Sequence, residues 1–514
     1  MRKTKNIYVV LCAFLLSAPV WAASVAQYGA KCDGKTDDRA AIQQAMDATA
    51  AAGGGTVDLP GSTCLLDSFV PQDHPWNFYN LRVPSGVTLS GTTGTRLLQG
   101  PHGRQTLDQV PGATFLANAV LAVGNHPSLV TFKDGPFYPL HAMSVGSHTV
   151  TLQNASDAAK FKPGDYAAIY EHLTGDVLPG QMSQIRGVSG ATLTLEDAVL
   201  RGFAAAQIAN VTANAAHDVG LRNLIVQGAE PLMVTETWRL NVADCAFLAD
   251  TSIPDNSHTD QMNTMEHVTF TNSTFAPLDS ATYFPYIELG QRNSSANTWV
   301  GNSFTASSVG FGEYAGEITL TGNHFFLHPH DLNGVSLGGM NVLFAGNDIH
   351  TIGNITSGSG WGFVLTDVYG CCGYTPYTGH IQIVSNQIDC AADGNNCLLL
   401  QGIGTVASGN TITDVGNWAT GIYISDATAL VTGNKITTKA NNGITLVSYG
   451  GVDSATIAGN TITGPGPTGI AVANLSGAPP AGGHQIRQNT ITGFTTAISI
   501  DPLMHPGTLL IDNQ

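Results

Sequence analysis

Gly409-Asn410-Thr411-Ile412, Gly433-Asn434-Lys435-Ile436 and Gly459-Asn460-Thr461-Ile462 are three copies of one phrase: a small residue, Asn, any residue, then an apolar one. Earlier copies are Gly301-Asn302-Ser303-Phe304, Gly322-Asn323-His324-Phe325, Gly346-Asn347-Asp348-Ile349 and Ser385-Asn386-Gln387-Ile388, and Gln488-Asn489-Thr490-Ile491 closes the series. Successive Asn residues lie 21, 24, 39, 24, 24, 26 and 29 residues apart. A period in the low twenties with occasional long excursions is the signature of a solenoid whose loops bulge on one side. Asn272-Ser273-Thr274-Phe275 is one more copy, so the series begins well before Trp299.

Between the phrases lie short apolar runs that start with Gly: Gly421-Ile422-Tyr423-Ile424, Gly443-Ile444-Thr445-Leu446 and Gly469-Ile470-Ala471-Val472. Their period of two is strand patterning, and each is too short for a helix. One turn therefore holds two or three short strands joined at Gly/Asn corners, because both residues accept the left-handed backbone a tight corner needs. Stacked turns bring one Asn above the next, and their amides form a ladder. The expected fold is all-β, a single parallel β-helix. Leucine-rich repeats need a Leu framework that is absent, and a propeller needs a longer unit.

Of the 514 residues only 11% are charged, while 59 are Gly, which fits a corner-rich β architecture and not disorder. A net charge of −17 argues against a nucleic-acid groove or an anionic membrane surface as partner. Residues 1–22 read as a secretory signal peptide: Met1-Arg2-Lys3-Thr4-Lys5, an apolar run from Ile7 to Ala18, and Val20-Trp21-Ala22. The expected location is periplasmic or secreted, in a bacterium. Export permits disulfides. Cys390 and Cys397 flank a short loop, Cys32 and Cys64 bracket the N-terminal cap, Cys371 and Cys372 are adjacent, and Cys245 sits in a strand-like run. An odd count leaves at least one free thiol, and the connectivity stays open.

Near the N-terminus, Thr36 or Asp37 can cap a helix whose apolar stripe is Ile42, Ala45, Met46 and Thr49; Gly53 to Gly55 end it and Thr56 to Leu59 start a strand. A helix there covers the open end of the solenoid. Tyr28-Gly29-Ala30-Lys31, Asp33-Gly34, Thr36-Asp37-Asp38, Ala41-Ile42-Gln43 and Gly53-Gly54-Gly55-Thr56-Val57 closely resemble the opening of the pectate-lyase-like superfamily. Its members include rhamnogalacturonases, polygalacturonases, tailspike depolymerases and alginate C5-epimerases. The resemblance implies a right-handed parallel β-helix over residues 23–514, with a capping helix and a polysaccharide or oligosaccharide partner. Residues 148–202 read as a small β-rich insert, with a turn at Lys162-Pro163-Gly164-Asp165.

Acids, His and aromatics concentrate between residues 250 and 370. Asp255, His258 and Asp260 form the densest run; Tyr286 and Glu288 follow a turn later, then Glu313 and Tyr314, then His328, His330 and Asp331, then Trp361, Asp367 and Tyr369. Carboxylates on neighbouring turns suit an acid/base or acid/nucleophile pair, and flat rings suit sugar faces. The catalytic candidates are therefore Asp255, His258, Asp260, Glu288, Glu313, His328, His330 and Asp331. The substrate-binding candidates are Tyr286, Tyr314, Trp361, Asp367 and Tyr369. The expected function is an exported glycoside hydrolase with no cofactor.

Two rivals stay open. His328-Pro329-His330-Asp331 resembles the Asp-Pro-His-Asp motif of alginate C5-epimerases, where the His and first Asp with a nearby Tyr move the C5 proton. His330 matches that His, His328 replaces the first Asp, and Phe325 stands where the Tyr would be. A lyase or epimerase on a uronate would need basic side chains or Ca2+, and after residue 250 the basic residues are only Arg292, Lys435, Lys439 and Arg487. The polygalacturonase motifs are not intact either, His258-Thr259-Asp260 being a partial echo. The rival outside enzymes is a glycan-binding or adhesive solenoid. Counting twelve residues back from Asn272 lands on Asp260 at an inward position, so the register shifts there or Asp260 and His258 lie at a strand end.

Overall fold

The computed structural model describes residues 22–514 apart from 72–76, 114–115, 125–135, 172–179, 201, 203–204, 251, 253–257, 280–285, 292–293, 312–315, 329–333, 353–361, 367–378, 391–395, 416–419, 440–441, 449–453, 476, 478–480 and 481–482. For residues 171, 258–261, 263, 286, 288, 290–291, 414–415 and 426–427 the backbone alone is described.

The chain winds into a parallel β-helix. Each turn contributes three short strands, such as Thr298–Val300, Ser303–Ala306 and Ser308–Phe311, followed a turn later by Thr319–Thr321, His324–Leu327 and Val335–Leu337. The Asn phrases build a 13-stranded sheet, and the other strands build a 25-stranded one. Pairing is parallel and in register from turn to turn: Phe304 faces Phe325, then Ile349, Ile388, Ile412, Ile436, Ile462 and Ile491. The apolar residue of each phrase thus stacks on its copies inside the helix. Phe247, Phe275, Phe304 and Phe325 stack at centroid distances of 5.0, 5.2 and 4.9 Å before Ile takes over.

The Asn of each phrase is the ladder residue. Asn323, for example, is fully buried; its Oδ1 accepts from the Asn302 amide at 2.9 Å and its Nδ2 donates to Asn347 Oδ1 at 3.0 Å. The pattern repeats through Asn386, Asn410, Asn434, Asn460 and Asn489 to Asn513, satisfying backbone groups that a sharp corner would strand. The preceding small residue carries the left-handed backbone, as at Gly301 (φ 64°), Gly433 (64°) and Ser385 (55°). In the earlier copy at 272–275, Ser273 occupies the ladder position: its Oγ accepts from the Cys245 N–H at 3.2 Å and its N–H donates to Asn302 Oδ1 at 2.9 Å. The Gly that opens each apolar run serves a close approach: a Cβ on Gly443 would lie 2.3 Å from Ile462 Cγ2, so the residue must be small for the Ile stack to fill the interior.

The helix Arg39–Ala51 covers the first turn with Ile42, Ala45, Met46 and Thr49 buried, the stripe read from sequence. Its N-cap is Asp38, not Thr36 or Asp37, and Asp38 makes no cap bond to the helix. The Asp38 carboxylate instead accepts from the Lys31 and Cys32 amides at 2.7 and 2.9 Å, tying the preceding loop down. Cys32–Cys64 and Cys390–Cys397 are disulfides, and Cys245 is a buried free thiol whose pKa burial pushes up to about 12.

Between the helix turns ending at Val123 and beginning at Ala216, a six-stranded antiparallel sheet stands on the solenoid. Its strands run from Tyr138–Pro139 to Ala206–Asn210, and its own core includes Val150, Ile169, Ile185, Leu193 and Ile208. Its other face packs Tyr166, Ala168, Tyr170 and Met182 on Trp238 of the helix. Burying such rings at the junction fixes the insert against the turns at 217–243 and 258–271.

Candidate functional site

A cleft of about 640 Å³ opens where the insert meets the helix. The insert supplies Glu196 and Asp197, and three successive turns supply Asp218, Trp238, Arg239, Asn241, His267 and Thr269. Asp218, Arg239 and His267 reach it for one local reason. They lie opposite one another in unbroken register: His217 pairs with Trp238 and Val219 with Leu240, then Trp238 with Glu266 and Leu240 with Val268. Each has a left-handed backbone, at φ 55°, 60° and 56°. One left-handed residue in an extended run makes a corner there, with the paired residues either side kept in place.

The cleft is organised by charge. His267 Nε2 lies 2.5 Å from Asp197 Oδ1, joining helix to insert. Asp197 Oδ2 also accepts from Ser183 Oγ at 2.9 Å and Trp238 Nε1 at 3.3 Å, so the carboxylate is held from three sides. The hydrogen bond and charge of Asp197 raise the His267 pKa above its ordinary value despite burial. Burial pushes the Asp197 carboxyl up, but the hydrogen bond and charge of His267, with Ser183 and Trp238, outweigh that and leave it lowered. Each partner thus favours the charged form of the other. Beside it, Arg239 lies over the Trp238 ring at 3.6 Å and bonds Asp218 at 2.8 Å. Glu196 is ion-paired with Arg186, which lowers its pKa. Tyr166 stacks on His217 at 4.9 Å, and burial raises its pKa.

Most candidates read from the sequence lie elsewhere in the chain. Asp255, Glu313, Tyr314, His330, Asp331, Trp361, Asp367 and Tyr369 lie outside the described residues. For His258, Asp260, Tyr286 and Glu288 the backbone is described: His258 opens a strand and pairs with Tyr286, Asp260 pairs with Ile287, and the register shifts between His258 and Asp260. Both resolutions of the Asp260 register problem thus occur together. His328 is half-buried just past the strand His324–Leu327, its N–H bonded to the Ala306 carbonyl at 2.9 Å. Phe325, where the epimerase-like motif would want a Tyr, is fully buried in the Phe stack.

The sequence reading missed the cleft because it searched after residue 250, whereas Arg186, Glu196, Asp197, Asp218 and Arg239 come earlier. A signal was available. Asp218, Arg239 and His267 each precede the small corner residue of a phrase by five positions: Asn223, Asp244 and Asn272. Among the described residues the group close enough to share a metal is Cys32, Asp38 and Cys64, and there the two sulfurs are joined to each other. On the 13-stranded sheet His324, Asp348, His350 and Asp389 alternate at 3.6, 2.9 and 3.8 Å, a half-buried chain of pairs with His324 exposed at its end.

Long parallel sheets wound this way define a right-handed parallel β-helix protein. Residues 22–96 match the family model described as rhamnogalacturonase A/epimerase, pectate lyase-like, and residues 343–506 match that of a protein family of unknown function, DUF1565. The first match makes the opening of the chain similar to the pectate-lyase-like proteins. Similar solved structures include the tailspike protein gp49 of Pseudomonas phage LKA1, with TM-score 0.60 and 13% identity over 95% of this chain and 84% of that one. The gp54 tailspike of Acinetobacter baumannii bacteriophage AP22, in complex with A. baumannii capsular saccharide, gives 0.54 and 11% over 95% and 79%. The tailspike gp61 of Pseudomonas phage phi297 gives 0.51 and 15% over 93% and 76%. At these identities the likeness is one of fold. No curated protein matches the chain. No helix among the described residues is long and apolar enough to cross a membrane.

Proposed function

We propose that this protein is an exported enzyme that cleaves a polysaccharide lying in the cleft between insert and helix, with His267 donating a proton to the departing glycosidic oxygen. The observation that carries this reading is the 2.5 Å Asp197–His267 pair on the cleft wall, which favours the protonated imidazole where a proton donor is wanted. Hydrolysis fits the remaining groups: water attacks the anomeric carbon, its proton passing to Glu196 or Asp218, while His267 protonates the oxygen that leaves. The acid role falls to an imidazole because Glu196 and Asp197 are both held ionised by cationic partners. The half-exposed Arg239 guanidinium, laid over the buried Trp238 ring, offers a planar face to a sugar. The saccharide-bound AP22 tailspike supports a glycan as ligand for this fold, and the two disulfides suit export.

Arg239 favours a second reading, elimination from a uronate whose carboxylate it would hold, with Ca2+ as a candidate assistant. Polygalacturonate, rhamnogalacturonan, alginate and xylan, each incubated with and without a chelator, separate the routes. Hydrolysis yields new reducing ends without ultraviolet absorbance. Elimination yields an absorbing unsaturated product. Retention of a polymer without shortening it would sink the enzyme reading and leave a binding solenoid.

A further inference from the structure

The left-handed corner at Asp218, Arg239 and His267 recurs along the helix. The aligned positions are Gly54, Gly86, Asp218, Arg239, His267, Ala296, Glu317, Asn341, His380 and Gly404, with φ between 53° and 96°. Bridges between the residues just before them fix the alignment: Glu266 to Ser295, Ser295 to Gly316, Gly316 to Met340, Met340 to Gly379 and Gly379 to Ile403. Glycine, which is at ease there, stands at both ends, and side-chain-bearing residues fill the middle. The neighbouring corner column makes the contrast within one molecule. On the turns where it has Gly301, Gly322 and Gly346, this column has Ala296, Glu317 and Asn341.

An L side chain in the left-handed region is strained, and on the turns of Ala296, Glu317 and Asn341 that strain is kept in one column and removed from its neighbour, which points to use; on the turn of His380 both columns keep it, the corner being Ser385 at φ 55°. Glu317, Asn341 and His380 are all exposed. His380 is also given room: a Cβ on Gly404 would lie 2.7 Å from its Nδ1.

We propose that Glu317, Asn341 and His380 extend the cleft into a track binding a polysaccharide strand along the helix axis. This rests on the cleavage site proposed at His267. His267 and His380 are four turns apart, about 19 Å at the ordinary strand spacing, which is the reach of an oligosaccharide rather than one sugar. The track offers a carboxylate, a carboxamide and an imidazole, a set that bonds sugar hydroxyls. The Glu317 carboxylate repels an acidic substituent, so the sugar beside it is neutral.

The test replaces the three residues by glycine together: Glu317→Gly, Asn341→Gly and His380→Gly. Glycine relieves the backbone at each site, so the fold keeps its melting temperature. Affinity electrophoresis through gels holding each of the four polymers compares wild type, the triple variant and His267→Asn. The expected result is retardation of wild type and His267→Asn by at least one polymer, with dissociation about tenfold or more weaker in the triple variant. Equal retardation of triple variant and wild type overturns the track, as does no retardation by any polymer. Retardation sensitive to the triple substitution in a protein that cleaves nothing supports the track and refutes catalysis at His267.

Discussion

Replacing Asn410 by Ala tests the physical basis of the helix. The Asn410 side chain is fully buried and makes four hydrogen bonds. Its Oδ1 accepts from the Asn386 N–H and Nδ2, both at 2.9 Å. Its Nδ2 donates to the Ile383 carbonyl at 2.8 Å and to Asn434 Oδ1 at 2.9 Å. At about 1 kcal/mol net per bond the four contribute about 4 kcal/mol. Truncation also takes this acceptor from the buried Asn386 N–H, so the total loss is about 4–6 kcal/mol, a large part of what a folded protein has. Thr461→Ala, exposed on the same sheet, is the control and costs within about 0.5 kcal/mol. Chemical denaturation followed by circular dichroism reads both, provided the slope with denaturant is unchanged. A loss below about 1 kcal/mol for Asn410→Ala would refute the ladder as a main support of the fold.

His267→Asn lowers the turnover of the cleaved polymer by about 100-fold or more while leaving binding intact; unchanged turnover removes His267 from the chemistry. The Asp197–His267 pair also sets a pH window. The imidazole titrates higher in the fold than out of it, so its contribution is full below about pH 6.5 and fades as pH climbs through the raised value. The carboxylate titrates lower in the fold, so its contribution is full above about pH 3.9 and fades as pH falls through the depressed value. Melting temperature therefore declines above neutrality more steeply in wild type than in His267→Gln, and parallel curves would contradict this. Cys64→Ser removes a staple between residues 32 apart and costs about 3–4 kcal/mol in the chain-entropy picture, read by denaturation against the oxidised wild type.

The fold was legible because repetition writes the same physical demand many times. The Asn, the small corner residue before it and the Phe or Ile two places after it each answer a distinct need: ladder, left-handed corner, interior stack. The stripe Ile42, Ala45, Met46 and Thr49 was legible for the same reason, a period matched to one face. The cap was not, since Asp38 satisfies loop amides that only the folded loop brings near. The cleft was least legible. Asp197 and His267 are 70 residues apart, and only the packing of Tyr166, Tyr170 and Met182 on Trp238 brings insert and helix together. The five-residue offset before each corner was present in the sequence, but its meaning depends on the left-handed backbone at that position, which side-chain periodicity does not reveal.

The most direct test is a crystal structure of the His267→Asn variant soaked with an oligosaccharide of the polymer that wild type cleaves. The account predicts a glycosidic oxygen facing residue 267, with a sugar ring over Arg239 and the strand continuing toward Glu317. Sugar bound at a place where it meets neither residue 267 nor Arg239 would contradict it.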